Sequence, residues 1–351
     1  MPEDLSCSAA PEAAGTDAGP PTAQRAAAEG FRSVLASVEA GEREEFPLPG
    51  SGRTGHRFAA LRAVAEVDLC TARLVEGHVD AAAILAELGA PPPGPGERWG
   101  VWAAEPPGEG LTALRKNVDA DADDGSGWVI SGLKQYCSGA HSCTHALVTA
   151  RAGDERRLFA VRADGDDCRP VEGTWPAVGM AGSDTPDVRF TDVPARAIGG
   201  PEAYVRRPGF WHGGIGVAAC WYGGAVAVSR VLGEAAARRP EPHTDAHLGA
   251  VDIQLQAAEA LLERAAAEID ADPFDAHGGA QLRAMRVRAF VESACAAVLD
   301  HVGRATGAGP LCHDARHARA AADLAVYIRQ HHAERDLAAL GSLLARPEGA
   351  R

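Results

Sequence analysis

The chain has no long apolar run, no excess of basic residues and no closely spaced pair of cysteines. Nowhere in its 351 residues does an apolar stretch approach the roughly 20 residues that span a bilayer. The formal net charge of −14 provides no basic face for phosphates, which excludes nucleic acid as an expected partner. With 46% hydrophobic and 23% charged residues, we expect a soluble, cytoplasmic protein.

Motifs that would identify other kinds of site are also missing. The eight cysteines form no Cys-x-x-Cys, so we expect no disulfide framework. Two histidine pairs, His243 with His247 and His313 with His317, have i,i+4 spacing but no third ligand beside them, so we predict no metal site. The chain has no P-loop motif, no strand-linked GxGxxG and no GxSxG.

The N-terminal part is predicted to be a tail followed by helices. Residues 1–24 are rich in Ala, Pro, Gly and acid and have no apolar h-region, which predicts a disordered tail without a targeting signal. Between Phe58 and Leu88, apolar spacings of three and four predict packed helices. We place an N-terminal helical domain at 25–98, which ends with the Pro- and Gly-rich stretch 89–97.

The remaining chain changes pattern twice. From 99 to 200, short β-branched or aromatic runs alternate with turn clusters, which predicts a β-domain of the sandwich or barrel kind. From 201 to 351, apolar helical stripes return, and we predict a C-terminal four-helix bundle of helices of roughly 20 residues. The predicted fold class is α+β, with a helical domain, a β-barrel or sandwich domain and a helical bundle in that order.

Several segments of the β region resemble those of the acyl-CoA dehydrogenase superfamily. They are WVISGLKQYCSGA (128–140) and GMAGSDTPDVRFTDVPA (179–195), and the domain order extends the resemblance over most of 55–345. The resemblance implies FAD held between the β-domain and the helices. GAGPL (307–311) is similar to the family turn that approaches the FAD of a neighbouring subunit, which implies a homodimer or homotetramer.

The same resemblance implies which residues contact the cofactor. WAAEPPGEG (102–110) matches the family's Thr-Glu-Pro strand with Glu105 in register and Ala104 in place of the threonine. The family's Trp-Ile-Thr corresponds to Tyr136, Cys137 and Ser138, which implies an aromatic wall and a hydroxyl at the flavin edge. An ordinary strand pair is the alternative for Tyr136 and Ser138. The remaining implied contacts surround the GAGPL turn: Arg304, whose alternative is plain solvent exposure, Gly307 and Gly309.

The catalytic base of the family is missing from its expected places. Family dehydrogenases use a glutamate at positions that correspond here to His331 and Val217. The nearest candidates are His331 and Glu334. If residues 327–341 form a continuous helix, these two side chains share a face, and the carboxylate raises the histidine pKa. The alternative is a surface helix with ordinary i,i+4 ion pairs.

Three functions fit the sequence. The first is FAD-dependent α,β-dehydrogenation of an acyl thioester, with His331 or Glu334 as base and an undefined electron acceptor. The second is a flavin-dependent monooxygenase of the same fold, which needs no glutamate and whose small-molecule substrate lies in an aromatic pocket. That pocket is lined by Trp211, His212, Trp221 and Tyr222. The third is a non-catalytic paralogue or a partner subunit of an active enzyme.

Overall fold

The computed structural model describes residues 22–108, 110–116 and 125–345. Most of the predicted N-terminal tail therefore lies outside the described residues. Its last three residues, 22–24, already belong to the first helix. Three helices come first: α1 (Thr22–Glu39), α2 (Thr54–Ala65) and α3 (Leu69–Glu87).

Asp68 separates α2 from α3. Its side chain accepts a hydrogen bond from the backbone N–H of Thr71 at 2.6 Å, so it caps the N-terminus of α3. Of the 19 residues of α3, 13 are buried, including Leu74, Ile84 and Leu85. Charged side chains on so buried a helix are expected to pair or to face an internal space.

Seven strands follow, and their pairings form a barrel and not a sandwich. They are β1 (Trp99–Trp102), β2 (Leu111–Arg115), β3 (Trp128–Lys134), β4 (His145–Ala152), β5 (Glu155–Arg162), β6 (Cys168–Pro170) and β7 (Val188–Ile198). The pairings run β4–β2–β3–β7–β5 and return from β5 to β4, so five strands close a ring. The ring closes through a single pair, Thr112 with Arg151. Strand β1 pairs in parallel with β4, and β6 adds to β7.

Helices make up the rest of the described chain. They are α4 (Ala203–Arg206), α5 (Pro208–Arg238), α6 (Pro242–Ala271), α7 (Ala280–Thr306), α8 (Ala308–His313), α9 (Ala315–Tyr327) and α10 (Glu334–Leu344). Helices α5, α6 and α7 have 31, 30 and 27 residues, longer than the sequence predicted, and they pack on one another. Helices α5, α6 and α7 end at Arg238, Ala271 and Thr306.

Helix α5 is the central element of the helical part. Contrary to the expectation that no apolar stretch is long enough to span a bilayer, α5 is by length and composition alone the one described helix that could do so, but 72% of its apolar window is buried inside the protein. Its contact with α2 is very close, because a Cβ added at Gly223 would lie 2.5 Å from the carbonyl oxygen of Arg62. We therefore interpret α5 as a core helix.

The described cysteines behave as small apolar residues. All seven, from Cys70 to Cys312, are free, and all but Cys312 are buried. Cys7 lies outside the described residues. The buried thiols pack as small apolar side chains do.

Candidate active site

A cavity of about 440 Å³ lies between α3, α5 and α7, against the end of β1 and the segment 330–336. Its apolar wall comes from Tyr204, Phe210 and Trp211, while α3 and α7 contribute charged side chains. A larger groove of about 650 Å³ lies on the outer side of the barrel around Trp99 and Trp128. We place the candidate site in the smaller cavity, because several secondary-structure elements converge there and buried polar atoms line it.

Helix α3 presents three charged residues to the cavity at spacings of three and four: Arg73, Glu76 and Asp80. This spacing puts them on one helix face. The Arg73 guanidinium lies 2.6 Å from the Glu76 carboxylate, and both side chains are largely buried. Burial raises the pKa of Glu76 to about 7, against the opposing effect of the Arg73 charge. Glu76 can therefore gain or lose a proton near neutral pH.

Asp80 has a buried carboxylate oxygen, Oδ1, without a hydrogen-bond partner among the described residues. A glycine of α5 leaves room for this oxygen, because a Cβ at Gly213 would lie 2.6 Å from it. Buried acceptors normally have donors. An acceptor that lines a cavity and lacks one indicates that the donor comes from a bound molecule.

Arg288 projects from α7 and stacks on the Trp221 ring, with 4.6 Å from the guanidinium carbon to the ring centroid. It donates hydrogen bonds to the carbonyl oxygens of Gly214, at 2.7 Å, and Gln330, at 3.2 Å. Burial lowers the pKa of Arg288, and the charge of Asp336 opposes that shift. No carboxylate of the described chain lies within the 4.0 Å salt-bridge limit of this cation.

A second arginine at the cavity is paired. Arg207, just before α5, lies 2.8 Å from Glu87, and its guanidinium stacks on Tyr204. Glu87 also accepts the backbone N–H of Gly209 at 3.0 Å. This network fixes the start of α5 against the end of α3, so the cavity has a rigid wall on that side.

The predicted helix through His331 and Glu334 is interrupted, and this geometric expectation is wrong. Helix α9 ends at Tyr327 and passes through a 3₁₀ turn, and Ala333 has a left-handed φ of 47° before α10 begins at Glu334. His331 is buried, whereas Glu334 is exposed in the first turn of α10. The two residues therefore do not share a helix face.

Asp336 takes the place expected for Glu334. Its carboxylate lies 3.9 Å from His331 Nε2 and 3.3 Å from His332 Nδ1. Burial lowers the pKa of His331 despite the raising effect of Asp336, so the expected upward shift is also wrong. His332 and Asp336 line the cavity. At neutral pH the His331 ring is an uncharged group beside the cavity.

The segment Tyr136–Ser138 lies at the end of the barrel. Tyr136 has a left-handed φ of 59° and a ring that is 55% exposed, which is unusual for a large aromatic residue. Cys137 is buried, and burial raises the pKa of its thiol. The Trp102 indole N–H donates to the Ser138 carbonyl at 2.9 Å, which ties this segment to the end of β1. The residues beside Trp102, Val101 and Ala103, line the cavity.

Ser138 belongs to a chain of hydroxyl groups. Thr185 donates to the Ser138 hydroxyl oxygen at 3.1 Å, and the Ser183 and Thr185 hydroxyls are 2.8 Å apart. When Thr185 donates to it, the Ser138 hydroxyl keeps its own hydrogen for an external acceptor, although the one Thr185 hydrogen can go instead to the Ser183 carbonyl oxygen at 3.2 Å. The segment thus combines an exposed aromatic face with an oriented hydroxyl donor.

The other residues implied as cofactor contacts lie on the surface. Glu105 forms an ion pair with Arg156 at 2.9 Å. Arg304 lies 3.3 Å from Asp300 in α7, with both side chains well exposed. Gly307 ends α7 with a left-handed φ of 65°, and Gly309 lies in α8 instead of the expected turn. Glu105 lines a groove together with Lys134 and Gln135, which directly precede Tyr136. Among the described residues, no hydrogen bond or ion pair joins Arg304, Gly307 or Gly309 to Tyr136 or Ser138.

Within the described residues, no group of three His, Cys, Asp or Glu side chains is placed to hold a metal ion. His247 contacts His301 of α7 through their Nδ1 atoms at 2.9 Å instead of pairing with His243.

The sequence reading missed the charged cavity residues. The signal was present in α3, where Arg73, Glu76 and Asp80 interrupt an otherwise apolar helix at helical spacing. Arg288 had no comparable signal, because α7 carries several arginines, and only the fold shows which of them lines the cavity.

Comparison with solved structures identifies similar folds. KijD3 in complex with FMN and a dTDP-3-amino sugar matches 93% of this chain and 95% of its own, with a TM-score of 0.67 and 20% identity. TdsC from Paenibacillus sp. A11-2 with FMN and indole matches 92% of this chain and 96% of its own, with a TM-score of 0.72 and 15% identity. Butyryl-CoA dehydrogenase from Megasphaera elsdenii matches 94% of this chain and 100% of its own, with a TM-score of 0.70 and 16% identity.

No family model matches the chain, and no curated protein matches it in sequence. The solved structures are less than 25% identical to it and therefore show a shared fold. Their coverage includes both the helical parts and the barrel.

Proposed function

We propose that this chain, which has the acyl-CoA dehydrogenase fold, is a flavin-dependent oxidoreductase, and specifically a monooxygenase of a polar small molecule. The charged cavity is the observation that supports a polar substrate. Its walls combine Arg73, Glu76, Asp80 and Arg288 with aromatic rings, a surface unsuited to an apolar acyl chain. One of the similar structures, TdsC, is a dibenzothiophene monooxygenase.

The flavin would be held by the end of the barrel. Tyr136 offers an exposed ring for one face of an isoalloxazine, and the Ser138 hydroxyl has a hydrogen to donate to its edge. When bound, a flavin supplies two-electron redox chemistry and, once reduced, reaction with O₂. FAD is the form that the sequence implied, and FMN is bound in similar structures. Both forms are therefore to be tested.

The protein's own groups would orient the substrate and manage protons. Glu76, with a pKa of about 7, and the uncharged His331 are the groups beside the cavity that can accept a proton at neutral pH. The aromatic wall and the packed start of α5 would exclude water from the cavity. These roles belong to the chain whichever flavin is bound.

Dehydrogenation of an acyl thioester is the second candidate, favoured by the similarity to butyryl-CoA dehydrogenase. Under it, His331 or Glu334 would be the base that the resemblance implies, and Asp336, 3.9 Å from His331 Nε2, would be the partner of the histidine. A homo-oligomer is part of this proposal, because Arg304, Gly307 and Gly309 are exposed and accessible to a neighbouring subunit. The third candidate, a non-catalytic paralogue, predicts that no flavin binds.

The experiment that separates the two catalytic candidates uses the flavin-loaded protein. We expect anaerobic mixing with butyryl-CoA and longer acyl thioesters to leave the flavin absorbance unchanged. We expect the reduced protein to consume O₂ and to release hydrogen peroxide more slowly than free reduced flavin, because the site is shielded from water. Bleaching of the flavin by an acyl thioester would contradict the monooxygenase proposal and support dehydrogenation.

A further inference from the structure

Two cavity residues of opposite charge have no counter-ion within 4.0 Å in the part of the chain that the structure describes. They are Asp80 and Arg288, whereas Arg73 pairs with Glu76 and Arg207 with Glu87. Both residues are partly buried at the cavity wall. Withdrawing a charge from water is costly, so such charges are normally paired or neutralised. Besides stacking on Trp221, Arg288 donates hydrogen bonds only to backbone carbonyl oxygens among the described residues, and Asp80 Oδ1 has no donor there.

Charged groups farther away affect Asp80 and Arg288 electrostatically, but they form their own contacts elsewhere. Burial lowers the pKa of Arg57, and among the nearby acids Asp80 raises it most. The Arg57 guanidinium nevertheless donates its hydrogen bond to the Pro47 carbonyl oxygen at 3.1 Å and forms no ion pair with Asp80. Asp336 has the same long-range effect on Arg288 but pairs with the histidines at 331 and 332. Asp80 and Arg288 are therefore both left without an ion-pair partner among the described residues.

The two charges lie on either side of two consecutive residues of α5. Asp80 Oδ1 would be 2.6 Å from a Cβ at Gly213, and Arg288 Cδ would be 3.4 Å from a Cβ at Gly214. The absence of side chains at both positions opens the cavity between the carboxylate and the guanidinium. A ligand lying over these glycines can reach both groups.

We propose that this cavity binds an amino-acid-class zwitterion, with its ammonium group at Asp80 and its carboxylate at Arg288. A carboxylate suits the planar guanidinium donors, and an ammonium group suits a lone carboxylate oxygen. Tyr204, Phe210 and Trp211 provide an apolar wall for an aromatic side chain. The inference rests on the proposed function only for the chemistry that follows binding.

The test is equilibrium binding of three probes to the full-length protein, measured by calorimetry with and without added FMN. L-Phenylalanine carries both charged groups, 3-phenylpropionate lacks the amine, and phenethylamine lacks the carboxylate. We expect L-phenylalanine to bind more tightly than either analogue by about tenfold to a hundredfold, because each charged hydrogen bond contributes. Absence of saturable L-phenylalanine binding would overturn the proposal.

Variants assign each end of the ligand. Asp80→Asn is expected to weaken L-phenylalanine and phenethylamine but leave 3-phenylpropionate unchanged. Arg288→Gln is expected to weaken L-phenylalanine and 3-phenylpropionate but leave phenethylamine unchanged, and Arg288→Lys should restore part of the loss. Equal weakening of all three probes by either variant would indicate a structural effect and contradict the assignment.

Controls separate this inference from the proposed function. The exposed substitutions Asp252→Asn and Arg238→Gln should leave all three affinities unchanged, and thermal unfolding checks that each variant is folded. If L-phenylalanine binds but no flavin does, the zwitterion site stands and the oxidoreductase proposal fails. If flavin binds but L-phenylalanine does not, only the substrate inference fails.

Discussion

At the scale of single residues, burial decides what the charged groups of the cavity can do. Arg73 and Glu76 lie together inside α3's buried surface, so the acid keeps its proton to a higher pH than an exposed glutamate does. These residues were visible in the sequence as charges within an apolar helix. Their pairing follows from their spacing in α3. Their cavity also requires α5 and α7, which lie more than a hundred residues further along the chain.

The raised pKa of Glu76 predicts a pH-dependent stability. A pKa of about 7 in the folded protein, against 4.5 when unfolded, means that the folded state binds the proton more tightly. The stability that Glu76 contributes is full below pH 4.5 and is lost as the pH rises toward 7. Of the charged groups that face Glu76, Arg73 and Arg57 lower its pKa, whereas Asp80 raises it together with burial.

Glu76→Gln, which resembles the protonated acid, should remove that component. The measurement is urea unfolding of both proteins at about pH 5 and about pH 8. We expect the wild type to lose more stability than the variant between the two conditions. An equal loss in both proteins would show that Glu76 does not titrate in this range.

At the scale of elements, the order of helices and strands followed from periodicity, but one helix boundary did not. The segment before α10 contains neither glycine nor proline, so the sequence HHAERDLAAL reads as helix. The structure breaks it at Ala333, a left-handed alanine, where tertiary packing outweighs local preference. The close contacts between helices could not be predicted either, because a glycine in a helical sequence does not show which helix packs against it.

The contact between α2 and α5 gives a prediction with a built-in control. Gly223→Ala would place a Cβ 2.5 Å from the Arg62 carbonyl oxygen and 2.8 Å from Ala65 Cβ. We expect a loss of about 1–3 kcal/mol in the free energy of unfolding, because these helices cannot separate without disturbing the core. The measurement is chemical denaturation.

The matched substitution is Gly233→Ala in the same helix, where nothing lies within 4 Å of the added Cβ. It should stabilise the protein by about 0.5–1 kcal/mol, since alanine favours helix more than glycine does. Opposite signs for the two variants support the close contact. Stabilisation by both would show that α2 and α5 are less tightly packed.

At the scale of the whole molecule, the fold leaves the candidate cofactor surface and the charged cavity next to each other. Trp102 connects them, since its indole binds the Ser138 carbonyl while its neighbours Val101 and Ala103 line the cavity. The sequence resemblance pointed to Tyr136 and Ser138. It did not reveal the polar cavity, because those charges come from separate helices.

Retention of flavin is the most direct test of the central claim. The visible absorption spectrum is recorded after incubation with FMN or FAD and gel filtration, for the wild type, Ser138→Ala and the distant control Ser342→Ala. We predict a retained flavin spectrum for the wild type and Ser342→Ala, with about tenfold weaker affinity for Ser138→Ala. A colourless wild-type protein after both incubations would contradict the flavin-dependent function.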